Sequence, residues 1–210
     1  DNISPTIVST SPSDNATGVA VDANIVLTFN ESVDAESGNI TLFKTGGATA
    51  ETIAVGSGLV SVSGNVVTIN PNSLLDSAQG YYVQIAASGF DDVAGNSFAG
   101  INDATTLNFT AADVAGPTLS SSTPADNATG VAVDANIVLT FNENVVAGSG
   151  NITLKKSSDN STVETMAVDG ANVSISGAAV TVNPTANLDS SQGYYLQIAA
   201  TAFDDASGNS

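Results

Sequence analysis

The sequence predicts an all-β protein made of two tandem immunoglobulin-like Greek-key β-sandwiches arranged end to end. The first observation is repetition, because the stretch from Asp14 to Glu31 returns letter for letter from Asp126 to Glu143. This period is too long for a helical or leucine-rich repeat and fits a whole small domain. The second observation is that apolar residues alternate with small polar ones, between turn residues spaced about 8–12 apart. About seven or eight such strands per copy favour a two-sheet sandwich over a closed barrel.

The repetition divides the chain into two domains, residues 1–113 and 114–210. Pro5-Thr6 and Pro117-Thr118 mark corresponding points near the start of each copy. The connection between the copies is only a few residues long, which predicts neighbouring domains held end to end as an elongated rod.

The strands of the first copy follow from alternation and from the turn residues between them. No window keeps a helical period, so we expect little helix. Side chains two apart along a strand share a face, which places Leu27 and Phe29, and by repetition Leu139 and Phe141, in the two cores. The predicted strands are Thr6–Thr10, Asn24–Phe29, Asn39–Lys44, Thr52–Val55, Val60–Ser63, Val66–Asn70, Tyr81–Ala87 and Thr105–Thr110.

Nothing in the second copy matches residues 98–112, which contain the predicted final strand of the first copy. The last residue, Ser210, corresponds to Ser97. Without that strand, the strand beside it would expose unpaired backbone groups. We interpret the sequence as an internal fragment of a longer protein that stops short of the end of its second domain. A strand donated by another molecule is the less favoured alternative.

Composition excludes several classes of function. The formal charge is −18, from 21 acidic residues against three lysines, with no Arg or His. Nucleic acids and anionic membranes require clustered cations, so neither is an expected partner, and no apolar run is long enough for membrane insertion. The commonest general base, His, and the thiol of Cys are both absent. An enzyme is therefore not expected, and a Cys-free repeat suggests a secreted or surface-exposed bacterial protein.

Motifs at both ends of each copy resemble the SbsA-type bacterial immunoglobulin-like domains. The opening motifs are Pro5-Thr6-Ile7-Val8-Ser9-Thr10-Ser11-Pro12, Asn15-Ala-Thr-Gly18-Val19 and Ile25-Val-Leu-Thr-Phe-Asn-Glu31-Ser-Val33. The closing motifs are Tyr82-Val-Gln-Ile, Asp92-Val-Ala-Gly95-Asn96 and Leu107-Asn-Phe109. Together they span nearly all of the first copy and the second copy as far as it extends. The resemblance implies a sandwich used as a spacer or binding module in S-layer proteins and adhesins, with no catalytic role.

Acidic residues in loops expected to meet at the N-terminal pole of each sandwich are candidate calcium ligands. Calcium takes six to eight oxygens, which loops from two hairpins can supply. The predicted ligands are Glu31 with Asp91 or Asp92 in the first copy, and Glu143 with Asp204 or Asp205, and Asp113 of the connection, in the second. Asp113 could instead complete a site with Asp14, Asp22 and Asp76. The competing interpretation is that these Asp and Asn residues form turns by binding their own backbone.

The lysines at strand ends and the tyrosine pairs each allow a structural and a functional interpretation. Lys44 and Lys156 lie on the inward face of their strands and could form an isopeptide bond. We favour lysines at strand ends that extend their amines to water. In the pairs Tyr81-Tyr82 and Tyr194-Tyr195, we expect one ring to pack inside with its hydroxyl bonded to the backbone, rather than to stack on a sugar.

These observations favour non-catalytic spacer repeats of a large bacterial protein, extracellular or on the cell surface and of the adhesin or S-layer type, stiffened by Ca²⁺. The expected partners are neighbouring repeats of the same chain, with surface carbohydrate or protein bound through other domains. The alternative is a carbohydrate-binding or other ligand-binding module attached to a secreted enzyme. That role would require an exposed aromatic platform, and the chain contains no Trp.

Overall fold

The computed structural model describes residues 2–210, which form two compact units that divide between Asp113 and Val114. Each unit is built from short strands, and none of the described residues is helical. Accordingly, the described part of the chain has no helix long and apolar enough to cross a bilayer.

The first unit contains eleven strands, of which most are four to six residues long. Their alternating burial gives each sheet one face toward the core and one toward solvent. The strands are β1 (Ile7–Ser11), β2 (Ala16–Val19), β3 (Ile25–Phe29), β4 (Val33–Ala35), β5 (Asn39–Lys44), β6 (Thr49–Ala54), β7 (Val60–Ser63), β8 (Val66–Ile69), β9 (Gly80–Ile85), β10 (Phe90–Asp92) and β11 (Asn108–Ala111).

Two sheets face each other in the first unit, with the orders β1-β3-β8-β7 and β2-β11-β9-β5-β6. Most pairs are antiparallel, as in β3 and β8, where Leu27 lies opposite Val67. The exception is β2, which pairs in parallel with β11 at the edge of the five-stranded sheet. A short pair, β4 and β10, lies apart from both sheets and carries Asp91 and Asp92.

The core of the first unit lies between the two sheets. Leu27 and Val67 are fully buried, as their alternation predicts. The ring of Phe29 lies edge-on to that of Phe98, with centroids 5.2 Å apart, and tilted against that of Phe90 at 5.8 Å. Such tilted and edge-to-face arrangements are the favoured geometries of aromatic pairs. The predicted inward position of Phe29 is therefore confirmed.

The second unit repeats most of this plan. A four-stranded sheet, β12-β13-β18-β17, faces a three-stranded sheet, β16-β15-β19, and β14 pairs with β20. Leu139 and Phe141 of β13 are buried, as predicted from repetition. The strands are β12 (Leu119–Thr123), β13 (Ile137–Phe141), β14 (Val146–Ala147), β15 (Asn151–Lys156), β16 (Thr162–Ala167), β17 (Val173–Ser176), β18 (Ala179–Val182), β19 (Tyr194–Ile198) and β20 (Phe203–Asp204).

The strand prediction missed three strands and misplaced the ends of others, including β6, which begins at Thr49 and not at Thr52. It omitted β2, β4 and β10, which are three or four residues long and contain Gly or Asp, both poor strand formers. It also placed the final strand of the first copy at Thr105–Thr110, whereas β11 spans Asn108–Ala111. Thr105 and Thr106 instead form a turn held by the carboxylate of Asp103.

Candidate functional site

The carboxylate of Asp92 holds the turn that follows β10. Its Oδ1 accepts hydrogen bonds from the backbone N–H groups of Ala94 and Asn96, both at 2.8 Å, and its Oδ2 accepts one from the Asn96 side-chain amide at 2.8 Å. Gly95 adopts a φ of 85°, which an L side chain disfavours. The Asn96 side chain, followed by the Asn96 backbone N–H, lowers the pKa of Asp92 because both bonds favour the charged form.

Asp205 builds the same turn in the second unit. The backbone N–H groups of Ser207 and Asn209 donate to its Oδ1, and the Asn209 amide donates to its Oδ2, each at 2.8 Å. The pKa of Asp205 is lowered in the same way, with the Asn209 side chain as the largest cause. Both aspartates are buried. Their hydrogen bonds to the following residues are those expected of turn-forming aspartates.

A group of three acidic side chains in the described residues could hold a metal ion: Asp113, Glu143 and Asp205. One carboxylate oxygen from each lies within 4.8 Å of the others. Oxygens bound to one calcium ion can be at most about 5 Å apart, because each lies 2.3–2.6 Å from the ion. Asp113 corresponds to Asp1 in the duplicated sequence.

The equivalent residues of the first copy are Asp1, Glu31 and Asp92. Asp1 lies outside the described residues. Glu31 is half-buried and its Oε1 accepts a hydrogen bond from the Asn30 amide at 3.2 Å, as Glu143 does from Asn142 at 3.3 Å. The setting of the glutamate is therefore the same in both copies.

Asp91 and Asp204 precede the turn aspartates and point away from them, because successive residues of a strand face opposite sides. Asp91 lies opposite Asp34 on β4, and its Oδ1 is buried without a hydrogen-bond donor. Asp204 lies opposite Val146 and accepts a bond from the Ser210 hydroxyl. The group of three acids contains Asp205 and not Asp204.

The acids suggested as companions of Asp113 in the first copy have different surroundings. Asp14 Oδ1 accepts bonds from the Asn108 backbone and side chain, at 3.1 and 2.9 Å, and so attaches the loop before β2 to β11. Asp76 forms an ion pair with Lys44, and Asp22 is exposed. The Ser77 hydroxyl donates to Asp113 Oδ1 at 2.8 Å.

In each copy, a lysine at the end of a strand and a tyrosine on the neighbouring strand both contact the same aspartate. Tyr81 is buried, and its hydroxyl accepts a bond from the Asp76 backbone N–H at 2.9 Å, while the Asp76 carboxylate pairs with Lys44. In the second copy, Tyr194 and Lys156 meet Asp189 in the same way, at 2.8 Å for each contact. The predicted tyrosine-to-backbone bond and the surface-directed lysine are therefore confirmed.

The sequence predicts a tight turn at Asp91–Asn96 with positive φ tolerated at Gly95 and Asn96, but only Gly95 adopts a positive φ. The prediction did not include the side-chain amides of Asn96 and Asn209 as donors to Asp92 and Asp205. The signal was an Asp followed four residues later by Asn, with Gly directly before that Asn, and it occurs in both copies.

Two facing sheets with this strand order define an immunoglobulin-like β-sandwich in each unit. The profile of the bacterial Ig-like domain family matches residues 1–111 and again residues 113–210. The chain therefore belongs to the bacterial Ig-like domain family and carries two tandem repeats of that domain.

Two solved structures illustrate the similarity to known proteins. The N-terminal part of the bacterial S-layer protein SbsC is 16% identical, with a TM-score of 0.37, over 91% of this chain and 43% of that one. The BSP domain of a biofilm associated protein is 15% identical, with a TM-score of 0.24, over 90% of this chain and 27% of that one. The chain spans less than half the length of either structure. No curated protein matched the chain.

Proposed function

We propose that the two domains are non-catalytic spacer repeats of a bacterial secreted or cell-surface protein of the adhesin or S-layer type. The observation that carries this proposal is the identity of the stretches 14–31 and 126–143 in two tandem domains of the bacterial Ig-like family. Duplicated binding modules are expected to diverge in their loops, whereas repeated structural modules keep the residues that hold the fold. Neighbouring repeats are then the partners of each domain.

Small-angle scattering on the whole chain tests the spacer role. A compact protein of 210 residues has a radius of gyration of about 17 Å. A spacer is expected to give a clearly larger value and a pair-distance distribution with a long tail. A radius close to that of a compact globule would contradict the proposal.

A carbohydrate-binding role has less support. Phe43 and Tyr82 are half-buried on the outer sheet face and stack on each other at 5.0 Å, so each covers a ring face that a sugar would need. Lys155 replaces Phe43 in the second copy, opposite Tyr195. The aromatic pair is thus specific to one copy.

We further propose that Ca²⁺ binds the second copy through Asp113, Glu143 and Asp205 and stiffens it. The donor set fits, because three carboxylates with oxygens within 4.8 Å can share one ion and waters can complete six to eight ligands. Asp205 is already fixed by its turn, so little side-chain freedom would be lost on binding. The ion would neutralise acids that otherwise repel each other in a chain of formal charge −18.

Calorimetry with calcium and with sodium chloride distinguishes calcium binding at this site from general screening of the surface charge. Calcium at about 100 times its dissociation constant stabilises the folded state by roughly 2.7 kcal/mol, so Tm should rise by several degrees. Sodium chloride at equal ionic strength should raise it less. Glu143→Gln should remove most of the calcium response. Asp169→Asn, which removes the same charge at an exposed position, should keep it. Equal responses of the two variants would contradict the site.

A further inference from the structure

The two facing sheets of the first unit have four edge strands. These are β1 and β7 in the four-stranded sheet, and β2 and β6 in the five-stranded sheet. An edge strand presents backbone N–H and C=O groups to which another strand can add, and proteins oppose such addition with bulges, prolines and inward-pointing charges. The four edges can therefore be compared by the protective features that each one carries.

Three of the four edges carry such a feature. β1 is interrupted by a bulge and is directly followed by Pro12. β2 contains Gly18 with a φ of 67°, and its pairing with β11 is irregular. β6 is also bulged and carries the half-buried Glu51, whose carboxylate accepts a hydrogen bond from the Asn72 backbone N–H at 3.0 Å. These three edges are poor templates for a further strand.

The fourth edge strand, β7, lacks all of these features. It pairs with β8 without interruption from Val60 to Ser63, and it contains no Pro, Gly or charged residue. No strand in the described part of the chain pairs with its other side. Val60 and Val62 are half-buried against the core, whereas Ser61 and Ser63 are exposed. The two valines thus retain apolar surface that an added strand would cover.

The second unit repeats this difference between its edges. β12 is bulged and is followed by Pro124, and β16 is bulged and carries Glu164. By contrast, β17 pairs with β18 without interruption from Val173 to Ser176, with the same alternation of half-buried and exposed residues. We call β7 and β17 the unprotected edges. They persist in both copies, although Ile175 replaces Val62.

The unprotected edges lie in stretches of the chain that carry no charge. Residues 52–75 and 170–188 contain no charged residue, although the whole chain has 21 acidic residues. The first stretch includes β7 and β8, and the second includes β17 and β18. Two copies of a chain with a formal charge of −18 repel each other. Because this repulsion is weakest where neither surface carries acids, a second copy can approach these edges more closely than the acidic loops.

We propose that the unprotected edges form an association surface for a second copy of this chain, which adds its own β7 or β17 in antiparallel pairing. Residues opposite each other then share a face, so that the apolar residues of the two strands lie side by side toward the cores and the serines lie side by side toward solvent. The four-stranded sheet continues across the two chains. This contact between chains goes beyond the spacer role, which does not depend on it.

Sedimentation equilibrium of the whole chain, from micromolar to millimolar concentrations, tests the association. A chelator is present throughout, which excludes bridging of chains by Ca²⁺. We expect reversible dimers and, because each chain has two such edges, larger species at the highest concentrations. Sodium chloride should strengthen the association, since it screens the repulsion between chains while the contact itself carries no charge. A monomer at every concentration in high salt, or association that salt weakens, would overturn the proposal.

A matched pair of charge variants locates the contact. Ser61→Asp combined with Ser174→Asp places an acid on each unprotected edge, so like charges meet across the contact and association should weaken at least tenfold. The control combines Ser9→Asp with Ser121→Asp, which adds the same charge at exposed positions on the opposite edges of the same sheets. The control should change association by no more than about twofold, because its charges lie away from the contact. Circular dichroism checks that both variants fold, and equal association of the two would refute the assigned edges.

Crosslinking provides a measurement that does not depend on added charge. The chain contains no Cys, so introduced thiols are the only sites at which a short bismaleimide reacts as a thiol crosslinker. Ser61→Cys combined with Ser174→Cys should give crosslinked dimers at concentrations where the parent chain associates. Ser9→Cys combined with Ser121→Cys should give few. Equal yields of crosslinked dimer from the two variants would place the contact elsewhere and refute the proposal.

Discussion

Phe29 and Phe141 occupy the same position in the two copies, and replacing each with alanine tests the assignment of the cores. Phe29 is 1% exposed and contacts the rings of Phe90 and Phe98, whereas Phe141 is 9% exposed and contacts the ring of Phe203 at 5.3 Å. A buried Phe→Ala change costs about 3–5 kcal/mol. An additional aromatic pair is worth about 0.5–1.5 kcal/mol. We therefore expect about 4–5 kcal/mol for Phe29→Ala and about 3 kcal/mol for Phe141→Ala.

Urea unfolding followed by circular dichroism, together with calorimetry, measures both values. Because the chain contains two compact units, we expect each variant to shift a different unfolding transition, and the comparison is made transition by transition. A cost below about 1 kcal/mol at either position would refute the register, since a one-residue slip turns the ring outward. If Phe141→Ala costs as much as Phe29→Ala or more, the second ring contact of Phe29 does not add the stability that we assign to it.

Two further predictions concern polar contacts of the first unit. The backbone N–H of Thr105, followed by the Thr106 and Thr105 hydroxyls, lowers the pKa of Asp103 from 3.8 to about 2. A lowered pKa stabilises the fold above the unfolded value and loses that contribution as pH falls. The Tm of the chain should therefore decline between about pH 4 and pH 2, and less steeply in Asp103→Asn. Identical pH profiles would contradict this origin. Tyr81→Phe removes the acceptor of the Asp76 N–H and should cost about 0.5–1.5 kcal/mol, while Tyr82→Phe, on the outer face, should cost less.

The strands that were located correctly from sequence are those whose own residues carry a period-two apolar pattern. Asn39–Lys44 and Val60–Ser63 agree with β5 and β7 residue for residue, because apolar residues recur at every second position, as Ile40 and Leu42 do in β5. The stretch Ala16–Val19 gives no such signal, since Gly18 has a φ of 67° and the strand exists through its parallel partner β11. A strand that depends on a distant partner cannot be located from its own residues.

The same limit applies to the candidate site: features set by neighbouring residues were predictable, and those set by distant pairing were not. The spacing of Asp, Gly and Asn predicted the turns that Asp92 and Asp205 form. The choice between Asp204 and Asp205 could not be made, because it depends on Phe203–Asp204 being a strand that turns adjacent side chains to opposite sides. That strand has two residues and is defined only by its pairing with β14.

The differences between the copies support a structural role for the repeats. Residues that hold the fold are unchanged: Asp92 and Asp205 form the same turn, and Tyr81 and Tyr194 accept the same kind of backbone bond. Where the copies differ in the core, apolar residues replace one another, as Met166 replaces Ile53 and Val182 replaces Ile69. Other substitutions occur on outer faces. Phe43 becomes Lys155, and either side chain can cover the neighbouring tyrosine ring, one by stacking and the other with its aliphatic stem. Val146 replaces Asp34, so Asp204 of the second copy lies opposite a valine, whereas Asp91 of the first copy lies opposite an aspartate. The copies thus keep the turns and backbone contacts that each domain needs in order to fold, and this is what a repeated spacer requires.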